Sequence, residues 1–177
     1  IITGDGTTGS LIVNHQDINK IAFTGSTQVG KLIQKSLAGR EVGLTLELGG
    51  KAANIVYEDA AIDQAVEGVV NGIFFNQGHV CCAGSRLLIQ ESVHDQFISK
   101  LEKRMQALRV GNPLDKNTDI GAINSKEQLN KITNLVDEGV ADGGNIFQTE
   151  CELPGNGFWF KPTLFTDVQP SYSIARE

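Results

Sequence analysis

Apolar positions along this chain keep two rhythms in turn, and the switching between them predicts the elements. Ile18 to Gly25, "INKIAFTG", is a short apolar run closed by glycine and reads as a strand. From Ser26 to Leu37 the apolar residues fall at Val29, Leu32, Ile33 and Leu37, the spacing of one helix face. Val42 to Gly50 and Ala52 to Asp59 read as strands, and Asp63 to Phe75 as a largely buried helix stopped by Asn76-Gln77-Gly78. Arg86 to Ser92 reads as a strand, and His94 to Leu108 puts Phe97, Ile98, Leu101, Met105 and Leu108 on one helical stripe with charges opposite. A polar loop then leads to a helix from about Lys126 to Glu138, and the run Gly157 to Val168 reads as extended. Strands alternating with helices predict an α/β fold with a largely parallel sheet.

Composition narrows the classes of function. The 177 residues are 40% hydrophobic and 20% charged, with 20 glycines, which is the balance of a globular domain with a real core. A formal net charge of -6 argues against a broad nucleic-acid or anionic-membrane footprint. No apolar stretch reaches the roughly 20 residues that span a bilayer. Three cysteines are too few and odd in number for a disulfide framework, which favours a reducing compartment and a cytoplasmic location. The chain opens on Ile1-Ile2-Thr3 without Met and ends on Ile174-Ala175-Arg176-Glu177 without a turn or cap, so it reads as an excerpt of a longer protein.

Three stretches carry candidate chemistry. In "FTGSTQVG", Phe23 to Gly30, a strand gives way to a helix through Gly25 and Ser26, a turn whose free N–H groups suit a phosphate; the simpler reading of Ser26 is a helix N-cap. In "LELGGK", Leu46 to Lys51, Glu47 ends an apolar strand before Gly49 and Gly50. Apolar surroundings would raise its pKa toward general-base work, whereas an edge glutamate before a turn would have no such role. In "FFNQGHVCCAGSR", Phe74 to Arg86, Cys81 and Cys82 stand side by side. They could be a nucleophile with a neighbour, a redox pair or two buried thiols; His79 and His94 do not complete a standard metal spacing, so no metal is expected.

Taken together and in this order, the three stretches resemble the aldehyde dehydrogenase superfamily. Glu47-Leu48-Gly49-Gly50-Lys51 matches its glutamate motif, Gly78-x-x-Cys81 its cysteine motif and "FTGSTQVG" its cofactor turn. The separation of Glu47 and Cys81, 81 minus 47 or 34 positions, is also the family's. The likeness continues through "VGNPLD", "KPTLF" and the final "IARE", and "GHVCCAGSRLLIQE" most resembles the branch with two aldehyde dehydrogenase-like regions in one chain. His79 departs from the pattern, which usually has Gln or Glu there; it either adds a titrating group or fills the same space.

The resemblance implies NAD-dependent oxidation of a small-molecule aldehyde, with NADP as the alternative cofactor. Cys81 would attack the aldehyde carbon to give a thiohemiacetal and, after hydride loss, a thioester, and its backbone N–H would form part of the oxyanion hole. Glu47 would activate water for hydrolysis, leaving Cys82 a bystander. Gly25, Ser26, Leu48 and Gly49 would line the cofactor site, with Ser26 at the diphosphate and Gln128 and Lys131 at the nicotinamide ribose. The resemblance further implies that 1–46 ends a Rossmann-type NAD(P)-binding domain and 47–177 forms most of an α/β catalytic domain. It also implies a homo-oligomeric full-length protein and essential parts outside this chain, so that the chain alone is not a working enzyme. Two other classes stay open: a noncatalytic scaffold region, and a redox-sensing thiol protein that would use Cys81 and Cys82 without Glu47.

Overall fold

The structure is a computed structural model that describes residues 1–176, so the last residue of the "IARE" stretch lies outside the described residues. Contacts divide the chain into one unit of Ile1–Gly50 and another from Lys51 onward.

In the first unit, α1 (Gly6–Asn14) leads to β1 (Lys20–Gly25), α2 (Thr27–Leu37) and β2 (Gly43–Leu48), and the two strands pair in parallel from Lys20↔Gly43 to Gly25↔Leu48. The side chains alternate across this pair. Ile21, Phe23 and Leu44 pack toward a small core of Val13 from α1 and Ile33 and Leu37 from α2. The apolar stripe foreseen for α2 is thus split, because Ile33 and Leu37 are buried while Val29 and Leu32 are 41% and 60% exposed. The sequence reading left α1 unassigned. Its glycines weaken the helical signal, and its ends are secured by other groups: Asp5 accepts from the Thr7 and Thr8 amides at 2.9 and 3.4 Å, and Arg40 donates to the carbonyls of Val13 and His15 at 2.7 and 2.8 Å.

In the second unit, β3 (Ala53–Val56) and β4 (Arg86–Ile89) pair in parallel, with α3 (Ile62–Phe74) between them in sequence. The chain continues through α4 (His94–Gln106), α5 (Lys126–Ala141), β5 (Asn145–Gln148), β6 (Thr163–Thr166) and α6 (Ser173–Arg176). The stripe on α4 does what its spacing predicted: Phe97, Leu101, Met105 and Leu108 are buried against Val66, Val69 and Val70 of α3 and Val56 of β3. At the solvent edge, Arg104 pairs with Glu67 at 2.7 Å and Lys100 with Asp63, tying α4 to α3.

Two of the three strand pairs are parallel, in keeping with the expected largely parallel pairing, while β5 with β6 is antiparallel; each pair forms its own two-stranded sheet. Of the run foreseen as extended from Gly157 to Val168, only Thr163–Thr166 is a strand. The rest is irregular, with bends at Gly157 and Asp167 and Trp159 Nε1 donating back to the Asn156 carbonyl at 2.7 Å.

Candidate active site

Within the first unit, the residues that the sequence singled out gather at one edge. Thr24 lies opposite Glu47 and Gly25 opposite Leu48 in the parallel ladder, Gly49 follows β2, and Ser26 opens α2. This edge is the C-terminal end of a parallel strand pair, the position at which open α/β folds bind ligands. Ser26 is an N-cap: its Oγ accepts from the Val29 amide at 3.2 Å and its carbonyl from the Gly30 amide at 3.0 Å. Capping uses only the oxygen's acceptor capacity, so the hydroxyl proton can still be donated to an anion at the positive end of α2. The cap reading and the phosphate reading are therefore compatible. Leu48 reaches across to α2, where a Cβ on Gly30 would lie 2.7 Å from Leu48 Cδ2, so the absence of a side chain at Gly30 leaves room for the leucine's methyl ends.

Glu47 is exposed. The apolar surroundings foreseen for it are absent here because it alternates onto the face of β2 opposite Leu44, Leu46 and Leu48, which are half-buried.

Beside this edge, α1, β1 and α2 enclose a groove of about 750 Å³, lined by Gly6, Gly9, Ile12, Phe23, Val29 and Leu32 among others. It accounts for the exposed half of the α2 stripe. Gly6 and Gly9 would meet nothing within 4 Å if they carried a Cβ, so the groove is open along α1. The groove's lining is mostly apolar, a surface suited to a flat ring rather than to a charged group. Sequence reasoning missed this groove with α1. The usable signal was Asp5, a capping residue, set ahead of the apolar run Leu11-Ile12-Val13.

In the second unit, the cysteines lie on a loop between α3 and β4. A turn over Phe75–Gly78 opens it, in which Asn76, Gln77 and Gly78 all have positive φ, at 49°, 55° and 74°. The other end is tied down where the Gly84 amide donates to the Gly72 carbonyl at 3.1 Å and Asn54 Nδ2 donates to the Gly84 carbonyl at 3.1 Å. Ala83 is buried, while Cys81 and Cys82 are exposed and both are free thiols. Exposure removes the reading of two buried packing residues.

Arg86, at the start of β4, donates from Nε and Nη2 to the Lys51 carbonyl at 3.0 and 2.6 Å. This clasp fixes the chain just after Gly49-Gly50, a role the sequence did not suggest.

Gln128 and Lys131, on the first turns of α5, help to line a cavity of about 340 Å³ whose walls include Gln77, Gly78 and His79. The structure thus brings the two candidate ribose-binding residues to the loop that leads to Cys81. The His79 Nε2 is buried and has no hydrogen-bond partner, so its ring fills space and leaves a polar atom unsatisfied. Among the described residues, no cluster of His, Cys, Asp or Glu could hold a metal, and no helix is long and apolar enough to cross a membrane.

Comparison with known proteins gives this geometry a context. The model of the aldehyde dehydrogenase family matches residues 1–177, and the chain belongs to that family. Among curated relatives, retinal dehydrogenase 2 of Rattus norvegicus and of Homo sapiens are each 45% identical over 183 residues, covering 100% of this chain. The chain spans 35% of the length of each. An aldehyde dehydrogenase from Bacillus cereus, solved as an NAD+ complex, superposes with a TM-score of 0.93 at 38% identity over 98% of this chain and 36% of its own. The NAD-dependent aldehyde dehydrogenase from Sinorhizobium meliloti gives a TM-score of 0.94 at 35% identity over 99% of this chain and 35% of its own. The fold is the α/β fold of aldehyde dehydrogenases.

Proposed function

We propose that the full-length protein oxidises an aldehyde to a carboxylic acid with NAD as the oxidant, NADP being the alternative. The observation that carries this reading is the gathering of Gly25, Ser26, Glu47, Leu48 and Gly49 at the C-terminal ends of β1 and β2, beside an apolar groove fit for an adenosine. That this chain's relatives include an aldehyde dehydrogenase solved with NAD+ supports the choice of cofactor. The groove and the Ser26 hydroxyl would hold the adenosine and diphosphate, and Gln128 and Lys131 would hold the nicotinamide ribose.

When bound, the nicotinamide supplies the hydride acceptor. Cys81 supplies the nucleophile: its thiol gives up a proton and its sulfur bonds to the aldehyde carbon, while its backbone N–H donates to the developing oxyanion. Loss of hydride leaves the acyl group on Cys81 as a thioester. Glu47 then takes a proton from water, whose oxygen attacks the thioester carbon; the C–S bond breaks, the acid leaves and the thiol is restored. Cys82 has no step in this scheme.

Residues 1–46 would complete the cofactor domain and 47–177 the catalytic domain, a division supported by the break between compact units just after Gly50. The sparse free thiols support a reducing, cytoplasmic setting, and the family likeness supports a homo-oligomer. The test is NAD-dependent oxidation of a small aldehyde panel by the full-length protein. NADH formation with at least one aldehyde is expected; none across the panel would leave the scaffold or redox-sensor reading.

A further inference from the structure

The turn that precedes the thiol loop is built against the preferences of its residues. Asn76, Gln77 and Gly78 follow one another in the left-handed region, at φ of 49°, 55° and 74°. Glycine adopts this conformation freely, and at Gly78 it is required twice over, since a Cβ would also lie 3.2 Å from the Ile73 carbonyl oxygen. Asn visits the region occasionally, but Gln gains nothing from it. A left-handed glutamine persists only where its surroundings hold it.

The holding contacts are made by its own side chain. In the orientation its neighbours dictate, the Gln77 carboxamide oxygen accepts from the Gly121 amide at 2.8 Å, and its nitrogen donates to the Asn76 carbonyl and Oδ1 at 3.0 and 3.2 Å. Asn76 Nδ2 in turn donates to the His79 carbonyl at 3.3 Å, and the His79 amide donates to the Asn76 carbonyl at 2.9 Å. Gly121 is buried, and a Cβ there would lie 2.7 Å from the end of the Gln77 carboxamide, so a side chain at that position would push the carboxamide off its place. One amide therefore links the loop around Gly121 to the turn, and the turn to His79, two residues before Cys81.

We propose that Gln77 is a positioning residue for Cys81: its carboxamide pins the left-handed turn to Gly121 and so fixes the near end of the loop whose far end Gly84 and Gly72 close. The inference rests on the reading of Cys81 as nucleophile. An exposed thiol held between two fixed ends keeps one attack geometry, whereas a thiol on a loop loose at one end samples many.

The experiment uses the full-length protein with Gln77→Ala, Gln77→Glu, Gly121→Ala and the Gln77→Ala/Gly121→Ala pair. Loss of one such bridging amide should slow the NADH burst about tenfold while KM stays within about twofold and burst amplitude per protomer is kept. Gln77→Glu keeps the acceptor for the Gly121 amide but turns an anionic oxygen toward the Asn76 carbonyl and Oδ1, so it should also slow the burst, and the double variant should be no slower than the worse single one. A wild-type burst rate in Gln77→Ala, or independent multiplication of the two losses, overturns the proposal. A readout without aldehyde separates this from the function itself: the ratio of Cys81 to Cys82 alkylation by iodoacetamide, read by peptide mass spectrometry, should shift by about threefold or more in Gln77→Ala. It should shift in the same sense in Gln77→Glu, which loses the donor to Asn76. An unchanged ratio in Gln77→Ala overturns the positioning role whether or not the protein oxidises aldehydes. Should Gln77→Ala fail to fold, Gln77→Glu and Gly121→Ala carry the same two readouts.

Discussion

The amide of Gly84 donates to the carbonyl of Gly72 at 3.1 Å and thereby closes the loop that presents Cys81 and Cys82 on the last turns of α3. Asn54 reinforces the closure from β3, and a Cβ on Gly84 would lie 2.0 Å from Asn54 Nδ2, so glycine is the residue that fits. Both thiols on this closed loop are exposed, and the proposed mechanism uses only Cys81.

Turnover by the full-length protein should therefore fall by a factor on the order of 10³ or more in Cys81→Ala and stay within about threefold of wild type in Cys82→Ala. Steady-state assay of both variants checks this. Equal losses would point to a dithiol mechanism.

The groove between α1 and α2 makes a prediction about cofactor affinity. Leu32 is 60% exposed and lines it, so Leu32→Glu should leave the helix intact while placing a charge where an apolar ring is expected. The Kd for NAD, measured by calorimetry on the full-length protein, should rise about tenfold or more, as it should in Ser26→Ala, which loses a donor to a charged group. Unchanged affinity in both variants would remove the cofactor from this groove.

A pH dependence follows from the cap on α1. The Thr7 amide, and then the Thr8 amide, hold the Asp5 carboxyl below its ordinary value of 3.8. A lowered folded-state pKa means that the cap's contribution is full above the ordinary value and is lost as pH falls through the folded one. Hydrogen-exchange protection of α1, corrected for intrinsic rate, should be higher in wild type than in Asp5→Ala at neutral pH. The two should converge as pH drops below the carboxylate range. A difference that persisted in strong acid would show that the charge is not what caps the helix.

The core of the second unit gives a stability prediction. Phe97, fully buried on α4, should cost about 3–5 kcal/mol when changed to Ala, while Ile98→Ala, on the half-buried neighbouring position, should cost less. Denaturant melts of the full-length protein compare the two, and equal costs would contradict the packing.

What the sequence made legible follows from what it repeats. The α4 stripe was readable because its apolar side chains keep one helical period, and four of the five, Phe97, Leu101, Met105 and Leu108, face one core. The turn at Ser26 was readable because a strand rhythm gives way to a helix rhythm across Gly25. In contrast, α1 offered only the Asp5 cap as a local signal, because its glycines weaken the helical pattern and its C-terminal end is held by Arg40, a residue 27 positions beyond the Val13 carbonyl it bonds. The antiparallel pairing of β5 with β6 is likewise set by partners distant in sequence, such as Phe147↔Leu164. For Glu47, the motif gives the residue and its place at a strand end, and the alternation in "GLTLEL" already puts it on the face opposite Leu44, Leu46 and Leu48, a period that the expectation of apolar surroundings overlooks.

The most direct test of the account is rapid mixing of full-length Glu47→Gln with stoichiometric aldehyde and NAD. Attack by Cys81 and hydride loss precede the step that needs a base for water, so acylation should proceed and hydrolysis should stall. The account predicts a burst of about one NADH per active site, then very slow turnover, with the acyl group found by mass spectrometry on Cys81 and not on Cys82. Should the burst itself be slow, higher pH should restore it, because the thiolate then forms without a base. Wild-type steady-state turnover in Glu47→Gln, or an acyl group on any residue other than Cys81, would contradict the account.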